Sequence, residues 1–164
     1  MILSGTKEKM LFGFDSFEGL SEPDVIDRPA SRKVFRWAKN DMSVPIAVAE
    51  ANLSPFAERV RLYPGWIPHE FDAVADGNFA LLHIDVDLYD PTFASLDFFY
   101  SRMNPGGVIV CDDYGSSACP GAKRAMDDFF SDKPESVVHL TSGQGIVFVL
   151  GQNKISLTDS SEAR

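Results

Sequence analysis

The sequence predicts an α/β fold, an open and mostly parallel sheet that carries an antiparallel hairpin toward its C-terminal end. Ala80 to Asp85 and Val108 to Cys111 are nearly continuous apolar runs, the pattern of strands covered on both faces in a parallel sheet. About twenty residues separate them, and parallel neighbours need a helical crossover of that order. The third observation is the pair Val137–Leu140 and Ile146–Leu150, joined by Thr141-Ser-Gly-Gln-Gly145, which reads as a hairpin at a sheet edge.

With 164 residues and 45% hydrophobic content, the chain can bury one real core but is short for two domains. One domain is expected over residues 1–150, followed by a polar, frayed tail over 151–164. The 15 Lys and Arg against 24 Asp and Glu leave a net charge of -9, which repels a phosphate backbone and argues against nucleic-acid binding. No apolar run approaches the ~20 residues that span a bilayer. Met1 to Lys7 lacks the basic-then-apolar order of a signal peptide, so a cytoplasmic protein with no membrane partner is expected. Cys111 in an apolar run and Cys119 in a Ser/Gly-rich loop suit reduced thiols rather than a disulfide framework.

In chain order, Leu11–Phe14 is a short strand running into the acidic turn Asp15-Ser-Phe-Glu-Gly-Leu20. An acid at the carboxyl end of an early α/β strand is placed to hold ribose hydroxyls, although Asp is also an ordinary turn residue there. Ser21 to Pro29 is a loop. Ser31 to Lys39 is expected as a helix, with Arg28, Arg32 and Arg36 on a basic edge beside Val34 and Phe35; a solvated amphipathic helix and a lid over a substrate both fit it. Ser43 and Pro45 open a helix that continues from Ile46 to Leu53. Arg59 to Tyr63 is a strand that stops at Pro64-Gly65-Trp66, and Pro68 to Asp76 is a short helix and turn. After the Ala80 strand, Pro91 opens a helix whose Phe93, Leu96, Phe99, Tyr100 and Met103 fall at core spacing. Asn104-Pro-Gly-Gly107 ends it, and Pro120 to Phe130 is a last helix that buries Ala122, Ala125, Met126 and Phe129.

Ligands of open α/β sheets bind outside the carboxyl ends of the strands, and both acidic pairs sit there. Asp85 and Asp87 are two apart, so on an extended chain they point the same way, and Asp112 and Asp113 close the next strand. Two bare charges ~4 Å apart repel by ~4 kcal/mol at an effective dielectric of ~20, so such a cluster calls for a counter-charge. All-oxygen ligands without a Cys/His cluster favour Mg2+ or a similar hard ion over Zn2+. Helix capping by Asp87 or Asp90 and loop capping by Asp112 and Asp113 account for one or two of these acids, not for all four. His83 shares parity with Asp85 but reads first as a satisfied strand histidine, and His69 and His139 as loop and edge positions. Cys111 reads as a packing thiol.

Phe14-Asp-Ser-Phe-Glu-Gly-Leu20, Gly65-Trp66, His83-Ile-Asp-Val-Asp-Leu-Tyr89, Pro105-Gly-Gly107, Asp112-Asp-Tyr-Gly115 and Ala122-Lys-Arg-Ala125 resemble, in order and spacing, the macrocin O-methyltransferase family over about Phe12 to Phe130. The resemblance implies a Rossmann-like methyltransferase sheet, with S-adenosylmethionine and Mg2+ as cofactors and a hydroxyl of a sugar or other small natural product as acceptor. By position it implies Asp85, Asp112 and Asp113 as metal ligands, Asp87 as general base, Asp15 with its neighbour Ser16 at the cofactor ribose, and Gly65 and Trp66 near the cofactor. A carboxylate of pKa ~3.9 facing a water-like hydroxyl of pKa ~15.7 lies ~16 kcal/mol short, so the implied base depends on the metal.

Family members carry, ahead of the Asp15 strand, a first strand and Gly-rich turn that wrap the methionine part of the cofactor; here only Met1 to Met10 precede Leu11. A gap is therefore expected between the Asp15 and Asp85 strands, to be closed by a smaller sheet or by a strand from a partner such as a second copy. Weak or absent activity is expected of this polypeptide alone. A Mn2+-dependent nucleotide-sugar glycosyltransferase, which also uses an apolar strand ending in Asp-x-Asp, and a non-catalytic methyltransferase remnant are the competing readings.

Overall fold

The computed structural model describes residues 9–30 and 36–150. Leu11–Asp15 forms β1, Ile46–Leu53 forms α1 and Val60–Pro64 forms β2, which pairs parallel with β1. Phe79–Ile84 forms β3, Tyr89–Tyr100 forms α2 and Met103–Cys111 forms β4. Pro120–Phe130 forms α3, and Val138–His139 and Gly145–Phe148 form β5 and β6. The strands make two ladders, β1-β2 and β3-β4-β6-β5. β3 and β4 are parallel, whereas β6 runs antiparallel to both β4 and β5, so the hairpin lies where the sequence puts it, with β5 at the edge.

The gap expected between the Asp15 and Asp85 strands is present among the described residues, since β1 and β3 share no ladder. Side chains bridge it. Phe12 meets Phe79 edge-on at 6.2 Å, Phe14 meets Phe71 at 5.0 Å, and Phe71 and Phe79 both pack on Phe99 of α2. Edge-to-face rings attract beyond their buried area, so this aromatic cluster holds the β1-β2 ribbon against the larger sheet without a backbone ladder. The main core lies between that sheet and α2 and α3, where Leu96, Ile109, Ala125, Met126 and Val147 are wholly buried.

Two expectations are corrected. Met103 is not a helix residue; it is the first residue of β4, paired with Phe79, while Val108 pairs with Leu81. The Asn104-Pro-Gly-Gly107 stretch is the irregularity that accommodates the unequal count, with Gly106 at φ 77°. The helix expected over Ser31–Lys39 is absent where it can be followed, because Arg36 is a bend, Trp37 and Ala38 are irregular and Lys39 begins a turn; residues 31–35, with Arg32, Val34 and Phe35, lie outside the described residues. Leu20 instead pairs with Asp41 and Asn40 through backbone bonds of 2.9 Å, and the Asp41 carboxylate accepts from the Ala38 amide. Those bonds turn the chain back toward β1. No helix among the described residues is long and apolar enough to cross a membrane.

Candidate active site

All eight residues singled out in the sequence lie at or just beyond the carboxyl ends of β1 to β4. On the smaller ladder, the Gly65 amide donates to the Asp15 carbonyl at 2.9 Å, which sets Gly65 and Trp66 beside Asp15. The Asp15 carboxylate accepts from the Phe17 amide at 2.6 Å, and Ser16 Oγ donates to the Gly19 carbonyl at 2.7 Å. This tight turn requires φ 91° at Gly19, where a Cβ would stand 2.4 Å from the Asp41 carbonyl oxygen.

On the larger ladder, the Asp112 amide donates to the Ile84 carbonyl at 2.9 Å, so the two acid-bearing ends leave the sheet side by side. Asp85 and Asp87 do not converge through strand pleating as the spacing suggested. β3 ends at Ile84, and the chain then folds tightly: the Leu88 amide donates to the Val86 carbonyl at 2.6 Å and Asp87 takes φ 60°. A left-handed aspartate is uncommon, and here it turns the carboxylate toward the β4 loop. Asp87 Oδ1 accepts from the Cys119 thiol at 3.3 Å, and one ligand atom from each of Asp87, Asp113 and Cys119 lies within 4.8 Å of the others.

The electrostatics are those of a site short of positive charge. Burial, then the Asp87 charge, pushes Asp113 up to about 6. Partial desolvation, then the Asp112 charge, raises Asp85; burial also raises Asp87. Asp113 Oδ2 is buried with no hydrogen-bond partner among the described residues. An orphaned carboxylate oxygen among three more carboxylates is costly as it stands and fits a hard divalent cation. The capping explanation has no support at the helix ends: the N-cap positions of α2 and α3 are Leu88 and Cys119, and neither makes a side-chain capping bond.

Two residues gain importance here. His83, expected as a satisfied strand histidine, is half exposed and sets Nε2 3.8 Å from Asp112 Oδ1, whose other neighbour is the Gln144 amide at 2.8 Å. The sequence marks Cys119 only as a reduced thiol. It is a free, buried cysteine, and burial pushes its pKa up to about 12, so it stays a hydrogen-bond donor to Asp87. Its place just before Pro120 and α3 was the one available signal.

An open α/β sheet with its site at the carboxyl ends of parallel strands defines a class, and solved structures supply the match. The O-methyltransferase NovP superposes with a TM-score of 0.71 over 89% of this chain and 62% of its own, at 22% identity. The calicheamicin methyltransferase CalS11 superposes at 0.68 over 85% and 60%, at 21% identity. The chain has the Rossmann-like methyltransferase fold. More narrowly, it belongs to the macrocin O-methyltransferase (TylF) family, whose profile matches residues 1–137.

Among characterised relatives, the 8-demethyl-8-(2,3-dimethoxy-alpha-L-rhamnosyl)-tetracenomycin-C 4'-O-methyltransferase of Streptomyces olivaceus is 30% identical over 122 residues, 72% of this chain and 47% of that protein. The demethyldecarbamoylnovobiocin O-methyltransferase of Streptomyces niveus is 28% identical over 130 residues, 75% of this chain and 48% of that protein. The chain thus spans about half the length of the curated relatives it matches. Family membership sets the glycosyltransferase reading aside.

Proposed function

We propose that this chain carries the metal-and-base part of an S-adenosylmethionine-dependent O-methyltransferase whose acceptor is a hydroxyl of a sugar or other small natural product. The observation that carries the reading is the unpartnered Asp113 oxygen, with Asp87 and Cys119 beside it and the charges of Asp85 and Asp112 felt there, in a chain of the TylF family. Asp85, Asp112 and Asp113 would hold Mg2+. When bound, that ion supplies the positive charge that lets an acceptor hydroxyl give up its proton near neutrality.

Asp87 is the base: its carboxylate faces the cluster, Cys119 orients one of its oxygens, and it accepts the acceptor's proton. The Gln144 amide fixes one oxygen of Asp112, and His83 Nε2 lies 3.8 Å from the same oxygen. Asp15 and Ser16 would bind the ribose of the methyl donor, with Gly65 and Trp66 beside it. Because β1 and β3 are not laddered to one another among the described residues, donor binding is the weaker half of the site.

Calorimetry on the purified chain tests both halves. Mn2+ or Mg2+ is expected to bind with heat that disappears in Asp112→Asn, and S-adenosylmethionine to bind weakly if at all. Tight donor binding without any metal uptake would reverse the assignment.

A further inference from the structure

Asp27 lies in neither acidic pair, yet it is 5% exposed and its carboxylate is fully engaged. Oδ1 accepts from the Tyr89 amide at 2.8 Å, and Oδ2 accepts from the Asp24 amide at 2.9 Å. Tyr89 is the first residue of α2, directly after the loop that carries Asp85 and Asp87. On the other side the carboxylate meets Gly121, the second residue of α3, directly after the loop that carries Asp112, Asp113 and Cys119. A Cβ at Gly121 would fall 1.8 Å from Asp27 Oδ1 and 2.8 Å from the Tyr89 nitrogen. One buried carboxylate from the segment after β1 is therefore wedged between the starts of the two helices that follow the acidic loops. A negative group there is favoured by the exposed amides and dipole of α2, and there is no side-chain cap from the helix's own N-cap residue.

We propose that Asp27 is a positioning residue for the acid site: it sets the spacing between the Asp85–Asp87 loop and the Asp112–Cys119 loop, and with it the metal-binding geometry. This rests on the methyltransferase reading above. Metal sites tolerate ligand displacements of only about 0.2 Å, whereas releasing the helix starts frees both loops at once. Outer residues that orient ligands typically change metal affinity by about 10- to 100-fold when removed.

Gly121 offers a second way to disturb the same contact. Gly121→Ala favours the helix by its propensity, yet it must displace the Asp27 carboxylate. The experiment titrates Mn2+ by calorimetry into the wild-type chain, Asp27→Ala, Gly121→Ala and the double variant, with thermal melts in EDTA. Glu135→Ala, which breaks a buried bond pair far along the chain, serves as the destabilised control.

Asp27→Ala and Gly121→Ala are each expected to weaken Mn2+ by about 10- to 100-fold. The double variant should lose less than the product of the two single losses, since the added methyl group then has no carboxylate to displace and meets only the Tyr89 nitrogen at 2.8 Å. The Glu135 control should keep wild-type affinity within about twofold despite its lower melting temperature. If Asp27→Ala does not fold, Gly121→Ala carries the same test. Unchanged Mn2+ affinity in the folded single variants, or a double variant whose loss is the product of the two, overturns the proposal. A wild-type chain that takes up no Mn2+ overturns the metal reading beneath it, and this role with it.

Discussion

Asp113→Asn is the sharpest perturbation of the acid cluster, and its expected sign is opposite to that of most buried substitutions. In the metal-free protein, burial and Asp87 move the Asp113 carboxyl from its ordinary 3.8 to about 6. The folded state therefore holds more protons than the unfolded state between those values. The stability linked to the protonated group is fully present below 3.8 and is lost as pH rises through about 6. At ~1.4 kcal/mol per pH unit, the ionised group costs the folded state about 3 kcal/mol at pH 8; solvent screening of a partly exposed carboxylate reduces this to roughly 1–2 kcal/mol. Asparagine keeps the shape, removes the charge and offers an amide toward Asp87. In EDTA at pH 8 the variant should melt about 2–8 °C above wild type, with a gain that shrinks toward pH 4. Mn2+ at ~100 times its Kd should raise wild-type stability by ~2.7 kcal/mol and the variant by far less. Melting curves from pH 4 to 8, with and without Mn2+, measure all of this. A variant that melts below wild type at pH 8 in EDTA, or that keeps the full Mn2+ shift, refutes the reasoning.

Asp87→Asn should leave Mn2+ binding within a few fold of wild type while lowering methyl transfer by at least ~100-fold, read in a chain or assembly that shows activity; an unimpaired rate would remove Asp87 as the base. Glu135→Ala should destabilise the fold by about 1–3 kcal/mol in urea melts. The loss follows from a 5%-exposed carboxylate that accepts from Tyr100 Oη and the Leu150 amide, each at 2.9 Å. Cys111 and Cys119 are both buried and both pushed up to about 12, so a chromogenic disulfide reagent at pH 8 should find no thiol in the native protein and two after urea unfolding. Rapid labelling of the native chain would show that the Cys119 loop opens.

Much of the fold was legible because its signals are local. The apolar runs ending at Asp85 and Cys111 are strands, the helical spacing of Leu96 and Phe99 gives α2, and Pro120 opens α3 as it should. The misreadings have local causes too. Asn104-Pro-Gly-Gly107 looks like a helix stop followed by a turn, but Met103 satisfies the sheet by pairing with Phe79 before that stretch, so the strand starts early and bulges. Arg36 and its neighbours have helical spacing, yet the return of the chain to pair Asn40 and Asp41 with Leu20 wins over propensity.

The sequence by itself determined the family and marked the candidate site: an acidic turn after the first strand and two acidic pairs after two buried strands, in an order specific enough to imply the family. Tertiary structure alone decided how those acids are held. Cys119 lies 32 residues from the Asp87 carboxylate it donates to, and Tyr89 lies 62 residues from the Asp27 that caps it. Periodicity speaks only for neighbours along the chain, whereas these contacts exist because α2 and α3 pack on one face of the sheet and bring their first turns together. The aromatic bridge between the two ladders has the same origin: Phe99 reads as an ordinary core residue, nothing local singles out Phe12, Phe71 or Phe79, and only packing makes the four the joint between the two ladders.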